Sequence, residues 1–159
     1  ARRALQDNSV FSAAALPVRF ARTLVSRYEP GMSYGWHTDQ AFIDNVRTDL
    51  SFTLFLSDLH SYDGGALELT NSAGVDVVRL PAGHAILYSS GDLHRVTEVT
   101  RGTRLAVVGW VQSRIRSSEQ RELQFQLGVA RAEVQDRAPE TALALAGMRQ
   151  QLLRMWSDA

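Results

Sequence analysis

His37 and Asp39 stand one residue apart in the stretch Tyr34-Gly35-Trp36-His37-Thr38-Asp39-Gln40, and His94 and Arg104 follow later in the chain. On a β-strand, side chains two apart share a face, so an imidazole and a carboxylate at this spacing aim at one point. A second imidazole, His94, arriving on a later strand completes a set of two histidines and one carboxylate. Such a set covers one face of an octahedral metal ion and leaves three positions open for chemistry. Arg104, with the Gly102 turn between it and His94, would enter from the neighbouring strand and present a planar fork suited to a carboxylate. Taken singly, a His-x-Asp pair or a strand arginine is most often a solvated polar group. The combination and its order carry the information.

The elements that must position these residues are legible in the spacing of apolar and turn residues. From about residue 18 to 113 the pattern predicts eight short strands: Arg22–Tyr28, Tyr34–Ile43, Asp49–Ser57, Ala66–Thr70, Val75–Leu80, His84–Tyr88, His94–Val99 and Thr103–Gln112. Pro30-Gly31, Asp63-Gly64-Gly65, Pro81-Ala82-Gly83, Gly91-Asp92 and Arg101-Gly102 punctuate them. Short, glycine-punctuated strands in one compact domain predict a mainly β fold, a double-sheet jelly roll or a closed barrel with the ligands inside its mouth. Residues 2 to about 15 read as a helix closed by Pro17. Ser117 followed by Gln120 reads as a capping box opening a helix that carries Leu123 and Leu127 and ends at Gly128. Pro139 suits the first turn of a last helix, whose Leu145, Met148, Leu152 and Trp156 recur at a helical interval. That stripe predicts a core-facing surface, with a homodimer contact through the C-terminal helices as its alternative use. The helices are expected on the outside of the sheets.

Composition bounds the function. The 159 residues suffice for one domain, expected to span the whole chain. Seventeen basic and seventeen acidic residues cancel, so nothing predicts capture of nucleic acid or of an anionic membrane. The absence of cysteine excludes disulfides, thiolate metal sites and a cysteine nucleophile, which leaves His, Asp and Glu as ligands. No apolar run approaches the ~20 residues of a membrane span, and the N-terminus lacks a signal pattern. These features predict a cytoplasmic protein acting on a small-molecule or peptidyl substrate.

The order His-x-Asp, His and a basic residue resembles that of Fe(II)- and 2-oxoglutarate-dependent dioxygenases of the prolyl 4-hydroxylase type. The stretches Arg27-Tyr28-x-x-Gly31, Arg47-Thr48-Asp49-Leu50-Ser51, Thr53-Leu54-Phe55-Leu56-Ser57-Asp58, Tyr62-Asp63-Gly64-Gly65, Leu80-Pro81-Ala82-Gly83 and Leu93-His94-Arg95-Val96-Thr97 resemble the bacterial PKHD-type hydroxylases more closely. So do Val99-Thr100-Arg101-Gly102-x-Arg104 and Leu152-Leu153-Arg154-Met155-Trp156, so the likeness spans nearly the whole chain. It implies a double-stranded β-helix in which His37, Asp39 and His94 bind Fe(II). Arg104 would pair with the distal carboxylate of 2-oxoglutarate, and Tyr28 would reach into the same pocket. By strand alternation Trp110 shares the Arg104 face and is expected to line the cosubstrate or substrate pocket, and Thr53 and Phe55 share a face expected to point inward. The implied oxidoreductase chemistry consumes O2, oxidatively decarboxylates 2-oxoglutarate to succinate and CO2, and hydroxylates an unactivated C–H. Ascorbate is a candidate accessory reductant. Related halogenases lack the carboxylate ligand, so Asp39 favours hydroxylation.

The chain departs from the family pattern in three places. Little sequence precedes the first strand, so part of one sheet's cover is expected to be absent. Tyr88-Ser89-Ser90 lacks a proline that often follows the aromatic, and the loop from Ala41 to Arg47 is short. His60 and His84 are expected to be solvated and uninvolved. Two other readings compete: a non-catalytic jelly roll that holds a metal or small acid, and a cupin-like metalloenzyme that does not use 2-oxoglutarate.

Overall fold

A computed structural model describes residues 1–157. They fall into two compact units, one formed by Arg19–Gln112 and the other by Arg2–Val18 together with the chain from Ser113 onward.

The first unit is built from strands β1 (Pro17–Tyr28), β2 (Tyr34–His37), β3 (Phe42–Ile43), β4 (Val46–Arg47), β5 (Leu50–Phe55) and β6 (Tyr62–Gly64). It continues with β7 (Leu67–Asn71), β8 (Gly74–Val78), β9 (Ala85–Ser89), β10 (His94–Val96), β11 (Val99–Gly102) and β12 (Arg104–Ser113). Two four-stranded sheets, ordered β1-β12-β5-β9 and β2-β10-β7-β8, make the jelly roll, and the short pairs β11-β6 and β3-β4 complete it. Strands that are distant in sequence therefore lie side by side, and this brings His94 opposite His37 in the β10–β2 register.

Each of the eight expected strands has a counterpart, but two of them are broken. The segment Tyr34–Ile43 is strand only to His37 and resumes at Phe42, because Thr48 N–H closes on the Ala41 carbonyl at 3.0 Å and the chain between forms a tight hairpin. Asp44 and Asn45 take positive φ values of 50° and 60° at its tip, the conformation of a type I′ turn that Asp and Asn tolerate. The segment His94–Val99 likewise divides into β10 and β11. Thr97 N–H still bonds to Ala66 O at 2.9 Å, while Val99 has moved to the Gly64 register in another sheet. β6 was not expected from its composition.

Alternation along the strands builds the core. Leu67, Leu69 and Val96 from one sheet are buried, and Tyr28, Ile86 and Tyr88 from the other pack against them with Val78. On β5, Phe52 and Phe55 are fully enclosed. Each buried aromatic of this kind contributes roughly 1.5–3 kcal/mol through its removal from water.

The second unit holds α1 (Arg2–Asp7), α2 (Ser9–Ala15), α3 (Ser118–Val134) and α4 (Pro139–Trp156). Asn8 divides the expected first helix, since its side chain accepts from Phe11 N–H at 2.9 Å and caps α2. Ser117 caps α3 as expected, accepting from Gln120 N–H at 3.2 Å. The helix does not end at Gly128 but runs to Val134. Gly128 is instead a point of close approach, where an added Cβ would meet the Arg149 guanidinium of α4 at 3.1 Å. Of the expected α4 stripe, Leu145, Leu152 and Trp156 are half-buried and Met148 departs from it. Ala142 is buried, Gln124 Nε2 donates to the Arg149 carbonyl at 3.0 Å, and Met148 is 52% exposed. Among the described residues no helix is long and apolar enough to cross a membrane.

Candidate metal centre and its adjoining cavity

His37 is the last residue of β2 and His94 the first of β10, so antiparallel pairing sets the two imidazoles side by side with ring centroids 4.2 Å apart. Nδ1 of His37 lies 2.7 Å from the Gly35 carbonyl, and Nδ1 of His94 lies 2.8 Å from the Asp92 carbonyl. A carbonyl oxygen only accepts, so both Nδ1 atoms carry a hydrogen, and in the neutral rings this leaves the Nε2 lone pairs for a metal. Tyr34 packs against His37 with the rings tilted by 57° and centroids 4.0 Å apart, and Tyr88 meets His94 edge-on at 5.1 Å, which restricts the ring planes further.

Asp39 is not on a strand, contrary to the expectation from His-x-Asp alternation. After His37 the chain leaves its sheet, and Asp39 N–H bonds to the Ser90 carbonyl at 3.0 Å, just beyond β9 of the opposite sheet. Ser51 of β5 donates its hydroxyl to Asp39 Oδ2 at 2.5 Å, and Ser51 Oγ lies 2.8 Å from Ser90 Oγ. The carboxylate is thus held by the sheet that does not carry the histidines. Oδ2 sits 3.6 Å from His94 Nε2. One ligand atom from each of His37, Asp39 and His94 lies within 4.8 Å of the others, so one ion with bonds of about 2–2.5 Å can reach all three. Among the described residues this is the group of histidines and carboxylates that meets that geometry.

A cavity of about 300 Å³ adjoins the three donors and is lined by residues of both sheets. Arg104, Val108 and Trp110 of β12 face it together, as alternation requires, with Thr53 and Ser51 of β5, and Tyr28 and Tyr88 close its wall. Arg104 is 1% exposed, and its Nε is buried with no hydrogen-bond partner. Its guanidinium lies 5.6 Å from the Tyr28 ring and 5.4 Å from that of Phe55. Burial pulls its pKa below the ordinary arginine value, opposed by the nearby Tyr62, Tyr28 and Tyr88 hydroxyls. Trp110 Nε1 and Tyr62 Oη are likewise buried without partners. A buried guanidinium with an unpartnered Nε fits a carboxylate ligand, since a charge left alone in the interior is strongly unfavourable. Burial raises the Tyr28 and Tyr88 phenols, so both remain neutral donors.

The arginine keeps its path because Gly65 has no side chain. At φ +60°, an added Cβ there would lie 2.9 Å from Arg104 Cδ and 2.8 Å from a Val99 methyl. Asp63-Gly64-Gly65 is therefore more than a turn signal.

All six residues expected at the site border this cavity, and Thr53 does too, whereas Phe55 packs against Arg104 from behind the lining. His60 and His84 are exposed and lie outside it. Ser51, Ser90, Tyr34 and Tyr88 were not expected. The serines gave no signal because their role depends on the loop from Thr38 to Ala41 leaving its strand.

Comparison with known proteins agrees with this geometry. Residues 23–112 match the 2OG-Fe(II) oxygenase superfamily. A PKHD-type hydroxylase of Parvibaculum lavamentivorans is 48% identical over 156 residues, covering 97% of this chain and 71% of that protein. One from a Picosynechococcus strain is 45% identical over 159 residues, covering 99% and 73%. The crystal structure of a Pseudomonas putida prolyl-4-hydroxylase is similar with a TM-score of 0.53 at 30% identity, over 63% of this chain and 56% of that one. Fe(II), 2-oxoglutarate and O2 come with the superfamily, and hydroxylation is the activity named for the relatives. The chain belongs to the 2OG-Fe(II) oxygenase superfamily and, within it, to the PKHD-type hydroxylases.

Proposed function

We propose that His37, Asp39 and His94 hold Fe(II), that Arg104 binds the distal carboxylate of 2-oxoglutarate, and that Tyr28 and Trp110 position that cosubstrate. The substrate is then a small molecule or peptide segment carrying an aliphatic C–H to the open side of the cavity. The observation that carries this reading is the pairing, in one cavity, of a three-donor metal set with a buried arginine whose Nε has no hydrogen-bond partner among the described residues.

The donor set fits iron: two neutral imidazoles and one carboxylate suit Fe(II) and leave positions for 2-oxoglutarate and O2. When bound, the metal supplies the means to couple oxidative decarboxylation of 2-oxoglutarate to C–H hydroxylation. The protein's own residues do the rest by binding and orientation. The Gly35 and Asp92 carbonyls fix both imidazole tautomers. Arg104 meets a carboxylate with a fixed fork, and the phenol hydroxyls of Tyr28 and Tyr88 donate from the same wall. Leu24, Val25 and Val108 add apolar surface to the lining, and the burial of Arg104 strengthens an ion pair formed there. The balanced charge and cysteine-free composition support the cytoplasmic setting.

Anaerobic titration with Fe(II), with and without 2-oxoglutarate, tests the assignment through the visible charge-transfer band of the chelate. The band should need both ligands, and Arg104→Ala should require far more 2-oxoglutarate to produce it. Iron binding without a band would replace this reading with a metal-holding module. Succinate release, with and without ascorbate, then screens substrates.

A further inference from the structure

The ligand Asp39 departs from its strand, and its position is set from across the fold. Ser51 and Ser90 are 2% and 3% exposed, and their hydroxyls, 2.8 Å apart, form a chain that ends on Asp39 Oδ2 at 2.5 Å. A carboxylate only accepts, so Ser51 donates to Asp39, and its remaining lone pair takes the Ser90 hydroxyl hydrogen. The chain therefore has a direction: Ser90 to Ser51 to Asp39. Ser90 engages Asp39 a second time, through its carbonyl and the Asp39 N–H at 3.0 Å.

Both serines are themselves fixed. Ser51 lies in the middle of the sheet, paired with Tyr88 on one side and Trp110 on the other. Ser90 N–H bonds to the Asp49 carbonyl at 3.2 Å. The two histidines belong to the other sheet, so the three metal donors are brought together only if Asp39 is held across the gap between sheets. Trp36, Thr38 and Gln40 on either side of the ligands are exposed; the Gln40 carbonyl accepts from the Thr48 hydroxyl and ties down the backbone there, while Ser51 is the partner of the carboxylate itself.

We propose that Ser51 and Ser90 form a clasp that positions the Asp39 carboxylate for metal binding, with Ser51 the direct contact and Ser90 acting through it. Neither serine touches the metal; both are positioning residues. This inference rests on the metal-centre reading above. A hydrogen-bond partner of a metal-ligating group changes metal affinity by about 10- to 100-fold, and a charge-assisted hydrogen bond is among the stronger ones. The clasp also explains the otherwise wasteful burial of two hydroxyls beside a carboxylate in an apolar wall.

Co(II) serves as the probe, because its visible d–d bands report both affinity and coordination geometry without turnover. Ser51→Ala should weaken Co(II) binding by about 10- to 100-fold and alter the band shape, with an unchanged far-UV circular dichroism spectrum. Ser90→Ala should weaken binding by a smaller factor. The double variant should be no worse than Ser51→Ala, because the residues act in series. Wild-type affinity and band shape in Ser51→Ala, or single effects that multiply in the double variant, would overturn the clasp. If Ser51→Ala does not fold, Ser90→Ala against wild type carries the test: unchanged affinity and bands would overturn the chain. His94→Ala separates the two readings. Loss of Co(II) in that variant with no effect of the serine substitutions sinks the clasp alone, whereas Co(II) binding that ignores His94→Ala sinks the metal centre with it.

Discussion

The two ends of the cavity are built on opposite principles. At the metal end the atoms that position the ligands have partners within the protein: each imidazole Nδ1 donates to a carbonyl, and Asp39 accepts from Ser51. At the Arg104 end the guanidinium is left open, with Arg104 Nε buried and without a hydrogen-bond partner among the described residues, and the Tyr62 hydroxyl close enough to act on it is unpartnered too. The first arrangement fixes geometry before a ligand arrives, and the second keeps hydrogen-bonding capacity for an anion. Both follow from function. A metal demands correct spacing of ligand atoms, while a dicarboxylate supplies the missing acceptors itself. Removing a residue at the first end should therefore damage geometry, and at the second it should damage affinity for one ligand.

The largest effect that sharpens this contrast is expected from Asp39→Ala. Two imidazoles alone leave the site under-coordinated, so Fe(II) or Co(II) affinity should fall by at least about 100-fold and succinate release should vanish. Full turnover by this variant would break the assignment of the metal end. Arg104→Ala comes next and should act on the other end only. Breaking a buried charge pair is worth about 3–5 kcal/mol, so the KM for 2-oxoglutarate should rise by roughly two to three and a half orders of magnitude while Co(II) affinity stays near wild type. Urea unfolding should show a smaller loss in the ligand-free protein than in the protein saturated with 2-oxoglutarate. A variant that loses both ligands' affinities together would mean that the ends are not separable.

How far the sequence reading reached follows the same division. The ligands and Arg104 were legible because residue type, order and spacing suffice to suggest them, and because Arg104, Val108 and Trp110 do alternate on one uninterrupted strand. What failed was the inference that Asp39 shares a strand face with His37. Local alternation predicts it, but the Ser90 carbonyl captures the Asp39 N–H and the strand stops at His37. Ser51 and Ser90 were invisible for that reason, since a serine in a strand becomes informative only once its cross-sheet neighbour is known. Gly128 misled in a similar way: a glycine after two helical leucines reads as a terminus, but it lies within α3 where the Arg149 guanidinium of α4 comes close.

Gly65→Ala probes the support of the Arg104 end without touching the arginine. The new methyl would crowd Arg104 Cδ at 2.9 Å and occupy a φ of +60° that side chains adopt with strain. A shifted guanidinium should raise the KM for 2-oxoglutarate by about tenfold, the equivalent of about 1.4 kcal/mol, with Co(II) affinity unchanged. Thermal unfolding will register the backbone strain as well, so the informative quantity is the ratio of the two ligand affinities. An unaltered ratio would show that the arginine's course does not depend on this glycine.

The smallest effect expected is on stability at high pH, and it tests whether the neutral hydrogen-bonding wall is a property of burial. Tyr88 is raised mainly by burial, with Asp39 and Tyr28 adding to the shift and the Thr53 hydrogen bond and Arg104 opposing it. A phenol whose folded value lies above its unfolded value of about 10 keeps its proton in the folded protein while the unfolded chain loses it. The linked stability is therefore fully present below about pH 10 and is lost as pH rises beyond that. The urea midpoint of the wild type should fall between pH 9 and pH 11. Tyr88→Phe removes the ionisable group but keeps the ring that packs on His94 at 5.1 Å, so its midpoint should fall less over the same interval. Equal slopes in the two proteins would mean that Tyr88 ionises as readily folded as unfolded, and its place as a neutral donor beside Arg104 would have to be given up.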